Sequence, residues 1–304
     1  MKFKKSDPLG VVLNALLLPY QERVTDVVKI SKKMIEKGLI NKQSDIINDH
    51  IAFRTLGVDH LGIKSFEKIF LHYGYRKMSF YNFENKKLDA YWYAPPSSYY
   101  PRIFVSEIRV KDLSLNAQKI IEKYTKHIVQ DPVSQLDLNN AKTVGEFFHK
   151  PLWDVPTIKD YKLLLEESEY AAWVIYNRYY LNHYTISVHE LPNGYNKLEA
   201  FNDFLQSIGI VLNSSGGIIK TSKDGLLRQS SSVAKMVEAT FADGEHLKIA
   251  GSYVEFAERL VLPEFKKLPK DEIKTIHRRE GFESANADKI FESTYRNQTD
   301  RTSK

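Results

Sequence analysis

Apolar residues recur at helical spacing along residues 9–37. Val12, Leu16, Val24, Val27, Val28 and Met34 predict one or two helices that begin near Pro8 and stop at Gly38. The pattern then changes to alternation. In NDHIAFRT, residues 48–55, Ile51, Phe53 and Thr55 share one face of a predicted strand, and His50, Ala52 and Arg54 share the other. Gly57 and Gly62 bracket a loop. A helix follows near residues 64–73, with Phe66, Ile69, Phe70 and Tyr73 on one side and Gly74 at its end. Three aromatic and β-branched stretches, YRKMSFYNF, LDAYWYAP and RIFVSEIRV, then predict strands. The order is strand, helix, three strands.

Residues 112–170 differ. LSLNAQKIIEKYTKHIV and KDYKLLLEESEYAAWVIYN have helical spacing, and the polar stretch between them carries Pro132, Pro151 and Pro156. The first pattern then returns. LNHYTISVHEL, residues 181–191, predicts a strand, and YNKLEAFNDFLQSIG a helix ended by Gly209. IVLNSS, GIIKTS, LLRQSSSVAKMVEATF and GSYVEFAERLVL supply further strands. His183 takes the place of His50, and Glu255 in the last strand takes the place of Glu107. The spacings differ, 133 positions (183 minus 50) against 148 (255 minus 107), so the repeat is loose. The expected fold is α+β: two βαβββ modules forming a curved β-sheet or barrel, with N-terminal and inserted helices. The segments are N-terminal helices at 9–43, a first module at 44–111, a helical insertion at 112–172, a second module at 173–263 and a C-terminal cap at 264–304.

The 304 residues include no cysteine, which excludes a disulfide framework, a thiolate metal site and a cysteine nucleophile. Any metal must be held by His, Asp or Glu. The net charge of +6 is not gathered into an Arg/Lys stripe with interleaved aromatics, so no nucleic-acid groove is expected. No apolar run is long enough to span a membrane. The first residues imitate a signal peptide, but Asp7, Pro8 and Asn14 interrupt the apolar run and no small-residue cleavage site follows. A cytoplasmic protein is expected.

His50, His183 and Glu255 are the candidate metal ligands. Two histidines and a carboxylate make up the facial triad of non-haem Fe(II) sites, which leaves positions open for substrate and O2. On the second histidine strand, Leu181, His183, Thr185, Ser187 and His189 share a face. That much polarity is odd for a core and expected for a site, and it makes His189 a competitor of His183. Glu255 shares its face with Tyr253, Ala257 and Arg259, while Glu258 points the other way. Glu107 offers a fourth ligand, an arrangement better suited to structural zinc or to isomerisation. Four strand residues span about 13 Å, so Arg54 can lean back toward whatever His50 holds and grip an anion with its planar fork. Gln229 and Ser231, on one face of LLRQSSSVA, could add neutral hydrogen bonds.

Paired βαβββ modules with metal ligands on first and last strands resemble the vicinal oxygen chelate superfamily, and GSYVEFAERLV resembles the last-strand segment of 4-hydroxyphenylpyruvate dioxygenase. More specifically, NDHIAFRT, VSEIRV, NHYTISVHEL, LLRQSSSVA, YVEFAER and the tail GFESANADKIFEST together resemble the 2-oxoadipate dioxygenase/decarboxylase family, over about residues 9 to 295. The resemblance implies a single catalytic domain over 1–304, with Fe(II) held by His50, His183 and Glu255 and substrate contacted by Arg54. It implies conversion of 2-oxoadipate with O2 to 2-hydroxyglutarate and CO2, in lysine catabolism. The tail, RREGFESANADKIFEST, could cap the open end of the barrel, with Arg278 or Arg279 near the pocket or on its surface. The rival readings are a metal-dependent isomerase or lyase of the same superfamily, and a binding protein that keeps the fold without the metal.

Overall fold

The computed structural model describes residues 3–4 and 6–301. Among the described residues the strands, in chain order, are β1 (Asn48–Leu56), β2 (Arg76–Phe83), β3 (Leu88–Ala94), β4 (Arg102–Ile108), β5 (His183–Ser187), β6 (Lys220–Thr221), β7 (Leu227–Ser231), β8 (Met236–Thr240), β9 (His246–Ala250) and β10 (Tyr253–Arg259). Eight of them form one sheet in the order β2-β3-β4-β1-β5-β10-β7-β6. In each half the first strand lies parallel to the last, β1 to β4 and β5 to β10. The halves join where β1 and β5 run antiparallel. The sheet therefore consists of two βαβββ modules related as mirror images in strand order, curled into a half-barrel in an α+β fold. Each module helix, Gly62–His72 and Leu198–Ser207, packs against strands of its own half.

The alternation in the first strand has the expected effect. Phe53 turns outward into a cluster with Phe66, its ring centroid 4.7 Å away, and Phe148. His50 turns inward. The N-terminal apolar stretch forms two helices, Pro8–Arg23 and Thr25–Glu36, whose Val12, Leu13, Leu16, Val27, Ile30 and Met34 are buried. The apolar run that imitates a signal peptide is thus part of the core. The second insertion stretch breaks into two helices at Ser168, whose hydroxyl accepts from the Ala171 N–H at 3.1 Å and caps the second.

The strand pattern departs from expectation in the second half. IVLNSS forms no strand; Leu212 makes a single bridge to Ser232. The amide of Asn213 instead holds the C-terminal tail, through the Lys289 carbonyl (2.9 Å) and the Ser293 hydroxyl (3.0 Å). LLRQSSSVAKMVEATF splits into β7 and β8. β8 leaves the main sheet and pairs with β9 as a separate hairpin. Its turn places Gly244 at φ +79°, a conformation that favours glycine, directly after Asp243. The hairpin is inserted between the third and fourth strands of the second module.

The half-barrel leaves a gap between its edge strands, β2 and β6. The tail fills it: helix Ser284–Phe291 packs against β2, β6 and β7. No helix among the described residues is long and apolar enough to cross a membrane.

Candidate active site

The junction of the two halves places His50, His183 and Glu255 together. Ala52 lies opposite His183 across the β1–β5 pair, and Tyr253 opposite His183 across β5–β10. The Nε2 atom of His50 lies 3.4 Å from Glu255 Oε1, and that of His183 lies 3.1 Å from Glu255 Oε2. The three donors are all buried and lie within 4.8 Å of one another. Burial alone would lift the Glu255 carboxyl, but the charges and hydrogen bonds of the two histidines outweigh it and hold it down at about 2. Burial pushes His183 down, while at His50 the same effect is outweighed by Glu255 and Asp49, which push it up.

Each histidine is anchored by the residue before it. His50 Nδ1 lies 2.9 Å from Asp49 Oδ1, and His183 Nδ1 lies 2.9 Å from Asn182 Oδ1. An Nδ1–H donated to an oxygen leaves the Nε2 lone pair facing the centre, the usual second partner of a metal-binding histidine. Where Nε2 carries a proton it hydrogen-bonds the Glu255 carboxylate, and a bound cation would take the place of that proton. The donor set, two imidazoles and one carboxylate, therefore fits a divalent first-row metal. Asp49 is itself clamped by the buried Arg259, at 2.6 Å (Nε to Oδ2) and 2.9 Å (Nη2 to Oδ1), with Arg102 3.5 Å away. Gln229 donates to Glu255 Oε1 at 2.6 Å and accepts from Asn286 of the tail at 3.0 Å, so it ties the carboxylate to the tail.

Arg54 lies on the same cavity, 1 % exposed. It donates to the Thr294 hydroxyl (2.9 Å) and the Phe291 carbonyl (3.0 Å), and its guanidinium faces the rings of Tyr170 and Trp173 at 5.1 and 5.3 Å. It forms no ion pair with a carboxylate among the described residues. The cavity is also lined by Phe104, Ser106, Phe282 and Ile290. A larger, open depression bordered by Lys64, Lys68 and Glu122 contains none of the His50, His183 or Glu255 donors.

The other sequence candidates lie elsewhere. Ser231 is buried with its hydroxyl 2.8 Å from that of Ser293, on the tail side of the sheet and off the cavity wall. His189 sits in the turn Val188–Glu190 beyond β5, where its Nδ1 accepts from the Arg259 N–H at 3.2 Å, and burial pushes it down to about 3. Arg278 and Arg279 reach the Arg259 carbonyl and Asp224. Glu107 faces the opposite side of the sheet and accepts from the Ile63 N–H at 2.7 Å, at the start of its module helix. Glu258 does the same for Leu198 at 3.2 Å. Register explains this. Thr185, two residues after His183, lies opposite Glu255, whereas Ala52, two after His50, lies opposite Phe104. Glu107 thus corresponds to Glu258, and the counterpart of Glu255 is Phe104. The sequence reading that paired Glu107 with Glu255 was displaced by three residues. It also passed over Asp49 and Asn182, although a polar side chain directly before each candidate histidine was a legible signal.

The family model for 2-oxoadipate dioxygenase/decarboxylase matches residues 12–270. The chain is 47 % identical over 268 residues to the rice (Oryza sativa subsp. japonica) protein named 2-oxoadipate dioxygenase/decarboxylase, chloroplastic/amyloplastic, covering 85 % of this chain and 72 % of that one. It is 45 % identical to the Arabidopsis thaliana protein named 2-oxoadipate dioxygenase/decarboxylase, chloroplastic, covering 83 % and 69 %. Among solved structures, the Oryza sativa hydroxyglutarate synthase in complex with 2-oxoadipate superposes with a TM-score of 0.87 at 42 % identity, covering 98 % of this chain and 96 % of that one. The chain, with its paired modules and buried His-His-Glu group, belongs to the 2-oxoadipate dioxygenase/decarboxylase family.

Proposed function

We propose that this protein is an Fe(II)-dependent dioxygenase/decarboxylase that converts 2-oxoadipate and O2 to 2-hydroxyglutarate and CO2, a step of lysine catabolism. The observation that carries the reading is the shared cavity. It holds a buried His-His-Glu group and, beside it, a buried guanidinium with no carboxylate partner among the described residues. The first suits a metal; the second suits an anion.

His50, His183 and Glu255 would hold the iron. When bound, the iron would supply an anchor for the keto-acid group and the electrons that activate O2. The chain does the rest. Asp49 and Asn182 fix both imidazoles with Nε2 toward the centre. Gln229 fixes the orientation of Glu255, which stays ionised. Arg54 grips the distal carboxylate of the substrate. Phe104, Phe282, Ile290 and Phe291 exclude water from the reacting end. An isomerase would have drawn on Glu107 as a fourth ligand or base, and Glu107 caps a helix on the far side of the sheet. A cytoplasmic location belongs to the same proposal. The apolar N-terminal stretch is packed in the core, and the plant relatives are named as chloroplastic; cell fractionation decides between the two locations.

The test is anaerobic loading with Fe(II), followed by O2 uptake with a panel of 2-oxo acids and analysis of products. 2-Oxoadipate should support O2 uptake with release of CO2 and formation of 2-hydroxyglutarate. Zn(II) should occupy the site without turnover. Full activity with Zn(II) and no O2 would move the protein to the isomerases.

A further inference from the structure

Three buried donors line the cavity without a hydrogen-bond acceptor of normal geometry: Arg54 Nε, the Tyr253 hydroxyl and Asn182 Nδ2. Each residue is 1 % exposed. Buried polar groups are nearly always satisfied, and exceptions in a native structure call for an explanation. Three in one cavity, all able to donate, describe a site for an oxygen-rich anion.

Tyr253 is the most tightly held of the three. Its ring stacks on that of His183, with centroids 4.6 Å apart and planes 30° apart. Its backbone carbonyl accepts from the Tyr20 hydroxyl, and its strand position opposite His183 is set by the β5–β10 register. The hydroxyl is a neighbour of the Arg54 guanidinium. Packing against His183 requires only the ring, and phenylalanine would supply that. A hydroxyl carried into a buried cavity beside an arginine is what packing leaves unexplained. The phenol O–H can donate a hydrogen bond.

We infer that Tyr253 is a specificity-determining residue: its hydroxyl and Arg54 together form the subsite for the distal carboxylate of the substrate, and so select dicarboxylic over monocarboxylic 2-oxo acids. This rests on the reading of the cavity as a 2-oxo acid site. Asn182 is a poorer probe, because its oxygen also anchors His183.

The experiment measures anaerobic binding of 2-oxoadipate and of 2-oxohexanoate, which lacks the distal carboxylate, to metal-loaded wild type and Tyr253→Phe. Metal content is measured alongside, and KM and kcat aerobically. Tyr253→Phe should weaken 2-oxoadipate about tenfold, the order expected for one hydrogen bond to a charged group. It should leave 2-oxohexanoate and metal content unchanged and raise KM more than it lowers kcat. Equal weakening of both acids would reduce Tyr253 to a structural role, and unchanged binding of 2-oxoadipate would remove its hydroxyl from the subsite. Wild type that binds neither acid, or both equally, overturns the reading of the cavity itself, and the inference with it.

Discussion

A buried guanidinium needs an anion or several neutral acceptors. Arg54 has a hydroxyl and a carbonyl from the tail and three aromatic faces, which leave its full charge for a ligand to meet. Lysine at this position keeps the charge and loses the planar fork. Arg54→Lys should therefore weaken 2-oxoadipate, and Arg54→Ala should weaken it more. A charged hydrogen bond is worth about 1.5–3 kcal/mol, roughly ten- to a hundredfold in kcat/KM. Metal content should stay as in wild type, since Arg54 is no part of the His-His-Glu group. Steady-state kinetics with 2-oxoadipate beside 2-oxohexanoate give the check. A loss confined to the dicarboxylate places Arg54 at the distal end, and an equal loss with both places it beside the metal.

At the scale of elements, the two modules share a device that the sequence disguised. Each last strand sends one carboxylate outward to the first turn of its module helix, Glu107 to Ile63 and Glu258 to Leu198. A carboxylate is favourable there because the first N–H groups of a helix lack partners within it. Glu258 is fully buried and also meets Lys197 at 2.8 Å and Arg228 at 3.0 Å, so it joins helix, strand and neighbouring strand. Glu107→Gln should cost about 1–2 kcal/mol, in the range of lost helix caps, and lower the melting temperature without reducing bound metal. Thermal melts together with metal analysis decide the point; metal lost from Glu107→Gln at unchanged fold would restore Glu107 as a ligand. The tail is the other element with a double duty. Phe282 packs on His50 with ring centroids 4.7 Å apart, Asn286 holds Gln229, and Ser293 holds Ser231. It is a structural wall of the cavity as much as a cover.

Over the whole molecule, the candidate metal site draws one ligand from the first half and two from the second, across the single antiparallel junction of β1 and β5. A metal bound there would join the halves, and anything that binds the folded state alone stabilises it by mass action. At a hundred times the dissociation constant the gain is about 2.7 kcal/mol, which should raise the melting temperature by several degrees. Wild type should show this rise on adding Fe(II) or Zn(II), and Glu255→Ala should not. An equal rise in both would mean that the metal binds elsewhere. Removing the ion with a chelator should reverse the shift in wild type.

The sequence by itself determined most of the helices and strands, their order in two βαβββ modules and the three polar candidates that meet at the centre, because alternation and helical spacing are local properties. It also determined that any metal here lacks thiolate ligands. Register was beyond it. A displacement of three residues in a loose repeat paired Glu107 with Glu255, and only strand pairing shows that Phe104 stands in that place while Glu107 matches Glu258. The clamp of Arg259 on Asp49 joins residues 210 positions apart, and the grip of the tail on Arg54 joins residues 237 and 240 positions apart. Contacts of that range leave no periodic trace in a single chain, so tertiary structure alone decided them.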